Sequence, residues 1–351
     1  MKTHPSILIT GGCGFIGHHL ALELSRRGEN VTVFDDFRFT MDKPVYRHFI
    51  EARLKKLEAA RVPVIRGDVT DISDLSAAFE RVRPEKIVHL AAIVSAAVCD
   101  RDPDRGFAIN VHATQKILEI IRRSRGIEQF VSPSSSMVYG DFHAESVTEE
   151  TPAEPIGVYG AGKLACELMI KAYHNIYGIA YTVIRPSALY GPTCINRRVS
   201  QLFIEAALEG RPLVLEGGGE DRLDFTHIDD LVEGLVLVLA NENALNQTFN
   251  LTYGESRSLK ELAGLIQTRF PGVAVETKPW KRTVPHRGTL DVSKARRLLG
   301  YAPRYPLERG YPLYMDWYET SGYREWTAGE KTFSVSGPAP SKMPASLRTP
   351  A

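Results

Sequence analysis

The chain is predicted to be an α/β protein: a doubly wound parallel sheet followed by a smaller C-terminal α/β lobe. Three observations predict this. From the start to about residue 186, short β-branched runs alternate with helical patterns. The first of those runs passes directly into a glycine-rich turn that opens a helix. After Pro186 the elements shorten and turn signals thicken, first at Tyr190-Gly191-Pro192 and then at Gly217-Gly218-Gly219.

Strands are predicted at 7–10, 31–35, 62–66, 86–90, 130–134 and 181–185. Between them, amphipathic periodicity predicts helices at 16–27, 45–60, 75–82, 107–124 and 160–177. Apolar strands separated by helices argue for a parallel sheet covered on both faces. Right-handed crossovers then wind it in both directions. Residues 1–186 form the first domain, completed by about 226–250, where 229–240 is apolar enough to return as a covering helix. Residues 187–225 and 251–325 form the smaller lobe. From 326 to 351 the chain is rich in Pro and Ser and reads as a disordered tail.

Composition narrows the function. The 351 residues are 43% hydrophobic and 24% charged, an ordinary globular mix. With 43 basic and 42 acidic side chains the net charge is +1, which gives no reason to expect nucleic acid or an anionic membrane as partner. Cys13, Cys99, Cys166 and Cys194 form no CxxC pair and read as structural thiols in a reducing compartment, with no metal site. No stretch is long and apolar enough to span a bilayer, and the expected location is cytoplasmic.

The first strand enters Thr10-Gly11-Gly12-Cys13-Gly14-Phe15-Ile16-Gly17. Gly11 allows the tight turn, Gly14 lets a pyrophosphate approach the backbone, and Gly17 lets helix and strand pack closely. Amides at the helix N-terminus then receive the phosphates. Asp35 ends the second strand eighteen residues past Gly17, where its carboxylate can accept both ribose hydroxyls. It would repel a 2′-phosphate, so this Rossmann unit is expected to take NAD rather than NADP. The neighbouring Arg38 is the one residue arguing the other way. Asp68, after the third strand, is placed to meet the adenine.

Of fourteen tyrosines, only Tyr159 has a lysine four residues on, Lys163, which puts both side chains on one helix face. A tyrosine that takes a proton near neutrality needs a cation beside its phenolate, and an ammonium one turn away supplies it. The fifth strand ends in Ser132-Pro133-Ser134-Ser135-Ser136, which places hydroxyls at the sheet edge where ligands bind.

These motifs, with His89-Leu90-Ala91-Ala92, Asn110-Val111, the run from Ser134 to Gly140, Arg185-Pro186 and Asp224-Phe225-Thr226-His227, resemble the extended short-chain dehydrogenase/reductases. Most similar are the nucleotide-sugar epimerases of the UDP-glucose 4-epimerase type. The resemblance implies Ser135, Tyr159 and Lys163 as catalytic residues. It adds Phe15, Ile16, Asp36, Val69, Leu90, Ala91, Ala92, Asn110 and Pro186 to the NAD contacts. Ser135, Ser136, Arg222 and Arg287, aided by Arg197 or Arg198, would hold the nucleotide-diphosphate sugar. Related dehydratases carry Asp-Glu where Ser136 and Met137 stand, and related uronate decarboxylases carry Glu at Met137, so both activities are disfavoured. Ala188 and Leu223 also depart from the family's usual Asn and Arg. The resemblance thus implies an NAD-dependent epimerase acting at C4, and a homodimer built on 107–124 and 160–177. An NAD-dependent dehydrogenase or ketoreductase would use the same three residues, and a non-catalytic NAD-binding protein is the reading from another class. Adjacent His18 and His19 point about 100° apart and are expected to pack or face solvent rather than share a metal.

Overall fold

Seven strands form the central sheet: β1 (Ser6–Thr10), β2 (Asn30–Asp35), β3 (Val64–Arg66), β4 (Lys86–His89), β5 (Gln129–Pro133), β6 (Tyr181–Arg185) and β7 (Gln247–Asn250). They are seen in a computed structural model that describes residues 5–39, 43–279 and 285–330. Every pairing is parallel, in the order β7-β6-β5-β4-β1-β2-β3. The order reverses between β1 and β4, which makes the crevice above their C-terminal ends the place for a ligand.

Alternation along the strands explains why both faces are covered. Ile7, Ile9, Val33, Val88, Val131 and Ile184 point to one side, against helices α1 (Phe15–Arg26) and α2 (Tyr46–Ala59). Leu8, Phe34, Ile87, Phe130 and Val183 point to the other, against α3 (Ile72–Val82), α4 (Ala113–Arg123) and α5 (Val158–Tyr177). A strand buried on both faces reads as a continuous apolar run. The helix α6 (Ile228–Ala240) packs back on α1, and β7 follows it onto the sheet edge beside β6.

Beyond β6 the chain builds short paired strands. Leu213–Glu216 runs parallel to Val275–Lys278, and Arg222–Leu223 runs antiparallel to Arg257–Ser258. Thr289–Leu290 pairs with Ser146–Val147, which ties this part to the loop after β5. The helix Tyr323–Glu330 enters the span expected to be a tail, and Trp326 stacks on His48 with ring centroids 4.2 Å apart. Residues 331–351 lie outside the described residues. No helix among the described residues is long and apolar enough to cross a membrane.

Candidate active site

The turn after β1 is shaped for a close visitor. Gly11 has φ +66°, and a Cβ there would lie 2.5 Å from Ala91 N. A Cβ on Gly17 would lie 2.5 Å from Gly11 O, and one on Gly14 would lie 2.9 Å from the same oxygen. Only glycine allows this turn to close on itself and on Leu90–Ala91. Gly14 caps α1 without any side-chain bond, and the first turn holds no acidic residue. The N-terminal amides of α1 therefore have no side-chain anion of their own. A cradle with no room for Cβ atoms and with its helix dipole uncompensated fits a dinucleotide's diphosphate.

Asp35 ends β2 beside this turn and is 7% exposed. Cys13 N donates to its Oδ2 at 2.9 Å and Phe37 N to its Oδ1 at 2.8 Å. Burial pushes the carboxyl up to about 6, against these two amide bonds. Arg38 donates to Asp68 Oδ2 at 2.8 Å and lies 3.7 Å from Asp36. Its charge is thus engaged by two carboxylates rather than offered to a 2′-phosphate.

The side that carries the expected catalytic residues is built by β5 and α5. Of the three consecutive serines, Ser134 and Ser136 are 6% and 1% exposed, whereas Ser135 is only half-buried. Ser136 Oγ donates inward to Ser187 Oγ at 3.1 Å, so the structure does not bring this expected substrate contact to the cleft. Ser135 Oγ accepts from Met137 N at 3.2 Å. Gly160 allows α5 to approach this loop, since a Cβ there would lie 2.6 Å from Met137 O. The approach delivers Tyr159, one residue before Gly160, and Lys163, three residues after it. Lys163 is 9% exposed and donates to Pro133 O at 2.9 Å, at the end of β5 and two residues before Ser135. Tyr159 is 7% exposed, and its hydroxyl has no protein partner among the described residues.

Asn110 acts through the backbone. Its Oδ1 accepts from Ile93 N at 2.8 Å and its Nδ2 donates to Ile93 O at 3.0 Å, which fixes the loop after Leu90, Ala91 and Ala92. It lies in a π-helical turn, Ala108–His112, that no sequence pattern announced. Such turns recur at functional sites. Thr10 Oγ1 and His89 Nδ1 are 2.7 Å apart, which links the ends of β1 and β4. Pro186 O accepts from Ser136 N at 3.0 Å, at the end of β6. Every predicted cofactor contact, including Val69 after β3, thus lies at or just past a C-terminal strand end or in a helix beside one.

The expected anion contacts divide. Arg222 is spent inside its own lobe: it donates to Ser256 O at 2.7 Å and lies 3.5 Å from Glu261. Arg287 has no carboxylate partner among the described residues, and its Nε is buried without a bond. Burial, helped by the nearby Arg198 charge, lowers it to about 10, against Asp221. Arg198 donates to Val94 O at 3.5 Å, in the loop that Asn110 fixes. His286 O accepts from Phe142 N at 2.8 Å, which sets Arg287 next to the loop that follows the serines. Two guanidiniums whose charges act on each other, one of them without a carboxylate partner among the described residues, are a pair that could hold an anion. No cluster of metal-ligating side chains occurs among the described residues.

The sequence model of the NAD dependent epimerase/dehydratase family matches residues 7–252. A UDP-glucuronic acid decarboxylase of Arabidopsis thaliana is 32% identical over 88% of this chain and 67% of its own length. A UDP-glucose 4-epimerase of Mycolicibacterium smegmatis is 30% identical over 86% of this chain and 95% of its own. Among solved structures, a Bacillus cereus UDP-glucuronic acid 4-epimerase in complex with UDP-glucuronic acid and NAD is similar, with TM-score 0.81. It is 28% identical and covers 90% of this chain and 99% of that one.

Proposed function

The chain belongs to the NAD-dependent epimerase/dehydratase family, and from that premise we propose that it is a nucleotide-sugar epimerase acting at C4. One observation carries the reading: the helix that holds Tyr159 is tied by Lys163 to Pro133 O, two residues before Ser135, the only serine of its run that is not buried. When bound at the glycine turn, NAD supplies an acceptor that takes two electrons from the sugar carbon and gives them back, so net redox is zero. Gly11, Gly14 and Gly17 hold its diphosphate, and Asp35 meets its ribose. Tyr159 takes the proton of the sugar hydroxyl and later returns it. Ser135 orients that hydroxyl, and Lys163 stabilises the phenolate from one turn below. Arg198 and Arg287 anchor the diphosphate about which the keto sugar turns.

Met137 supports epimerase over decarboxylase, since a thioether offers no proton where a Glu would stand. The identity to plant decarboxylases favours the other reading. NMR of products from UDP-glucose and UDP-glucuronate separates them: an epimer without added NAD supports the proposal, and a pentose with released CO2 overturns it. Stoichiometric NADH without epimer points instead to a dehydrogenase. Tyr159→Phe is expected to lower kcat by about 10²- to 10⁴-fold while Tm is unchanged, because the hydroxyl has no protein partner among the described residues. Exposed Phe107, Val158, Leu168, Ile176 and Tyr177 lie on or beside α4 and α5 and support pairing with a second copy through these helices. Sedimentation at the mass of one chain would refute that pairing.

A further inference from the structure

Arg53 lies on the apolar stripe of α2 with Tyr46, Phe49, Ile50 and Leu57, and is 1% exposed. No carboxylate is within ion-pair distance of it among the described residues. Its Nη1 donates to Cys13 O at 3.4 Å and its Nη2 to Thr193 O at 2.5 Å, while its Nε has no partner. Burial lowers its pKa to about 10, against fields that include that of Asp35. A buried cation held by carbonyl dipoles alone is costly. The glycine turn it touches is where a diphosphate's negative charge would arrive.

Two neighbours make the same crossing. His18 is fully buried; its Nδ1 donates to Gly14 O at 2.8 Å, and its Nε2 accepts from Thr193 Oγ1 at 3.2 Å. His19 Nε2 lies 3.2 Å from Pro192 O. Three side chains of the dinucleotide side thus grip two consecutive residues of the chain leaving β6. That stretch is strained: Ala188, Thr193 and Arg197 have φ of +35°, +68° and +51°. For a β-branched residue such as Thr193 this is a rare conformation, which persists only where surroundings impose it. Five residues past Thr193 stands Arg198, one of the two cations of the pair with Arg287.

We propose that Arg53 is a positioning residue that ties the glycine turn to Thr193, so that occupation of the dinucleotide cleft fixes the 193–198 segment and with it Arg198. The inference rests on the dinucleotide cleft and is independent of which sugar is turned over. A diphosphate above Cys13 and Gly14 stabilises the Arg53 charge, and that stabilisation is passed to Thr193 through the second nitrogen of the same guanidinium. Coupling of this kind is reciprocal, so an anion held by Arg198 tightens the dinucleotide in return.

Amide hydrogen exchange, followed by mass spectrometry on the full chain stripped of NAD and then reloaded with it, tests the proposal. In the wild type, NAD is expected to slow exchange at 193–198 by about 10-fold, a typical allosteric coupling, as well as in the glycine turn. In Arg53→Met the glycine turn should still be protected, while protection of 193–198 falls below about 2-fold; Arg53→Lys should restore part of it. Protection of 193–198 that is equal in Arg53→Met and wild type overturns the proposal, as does wild-type protection confined to the glycine turn. Should Arg53→Met fail to fold or to hold NAD, Arg53→Gln decides by the same criterion, since its shorter, neutral side chain keeps a polar donor but cannot bridge Cys13 O and Thr193 O.

Discussion

Two buried arginines, Arg185 at the end of β6 and Arg53 on α2, meet their surroundings in different ways. Behind the catalytic loop, Arg185 makes a two-pronged bond to Glu167, Nε to Oε1 at 3.0 Å and Nη2 to Oε2 at 2.6 Å. Its guanidinium covers the Tyr139 ring at 4.8 Å, and Tyr139 in turn donates to Asn250 at 2.7 Å. Burial disfavours the Arg185 charge, but Glu167 outweighs burial and raises its pKa on balance. Glu167 lies on α5 one turn beyond Lys163, so this pair fixes α5 to β6 whether or not a ligand is present. Beneath the glycine turn, Arg53 has carbonyls in place of a carboxylate. The first region is complete in itself; the second leaves a positive charge for a ligand to answer. A charge matched within the protein gives rigidity, whereas one left to be matched from outside can make structure depend on occupancy.

Removing one partner of each arrangement is the strongest way to break the comparison. Glu167→Gln keeps the shape but strands a buried guanidinium, and should lower the unfolding free energy from urea titration by about 3–5 kcal/mol. Arg53→Met in NAD-free protein removes the charge itself and leaves only two carbonyls short of a donor, which should cost about 1–3 kcal/mol. Equal losses in the two variants would mean that Arg53 is as fully satisfied as Arg185, and the contrast would fail.

Acid sharpens the comparison with a smaller effect. Burial lowers His19 from 6.5 to about 3, although its contact with Pro192 O raises it. A histidine held neutral in the fold takes up its proton on unfolding, so its contribution is complete above about pH 6.5 and is lost as pH falls toward 3. Asp35, raised to about 6, opposes this below that pH, because it binds its proton more readily in the fold. The urea midpoint should therefore fall from about pH 7 to about pH 5, and His19→Gln should reduce the slope by at most about 1.4 kcal/mol per pH unit. An unchanged slope in that variant would show that the Pro192 contact does not report on acid.

Much of the sheet could be read directly. The paired apolar runs at 7–10 and 31–35 become β1 and β2 within one residue at each end, because a strand buried on both faces leaves little else for such a run to do. The glycine turn was legible because its constraint is local: each glycine is needed by atoms within a few residues or on the adjacent strand. Ser135 could be singled out from Ser134 and Ser136 only by resemblance, since exposure at a strand end depends on the loop's path. Ser136 turned inward to Ser187, 51 residues away, and Arg222 was drawn to Ser256, 34 residues away, and to Glu261 beyond it. His18, expected to pack or face solvent, is a buried bridge between Gly14 and Thr193. Arg53 did leave a signal, a charged residue on an otherwise apolar helical stripe, but its purpose lies 140 residues along the chain.

By itself, then, the sequence determined what depends on near neighbours: strand periodicity, the tight turn after β1, and the one-turn spacing that puts Tyr159 and Lys163 on a single face. Only the tertiary structure decided which serine of the run stays half-buried, which arginine is drawn to partners within the chain, and which buried cation lacks a carboxylate. The reason is physical. Backbone geometry is set over a few residues, whereas the partner of a long polar side chain is whichever group the distant chain brings within about 3 Å.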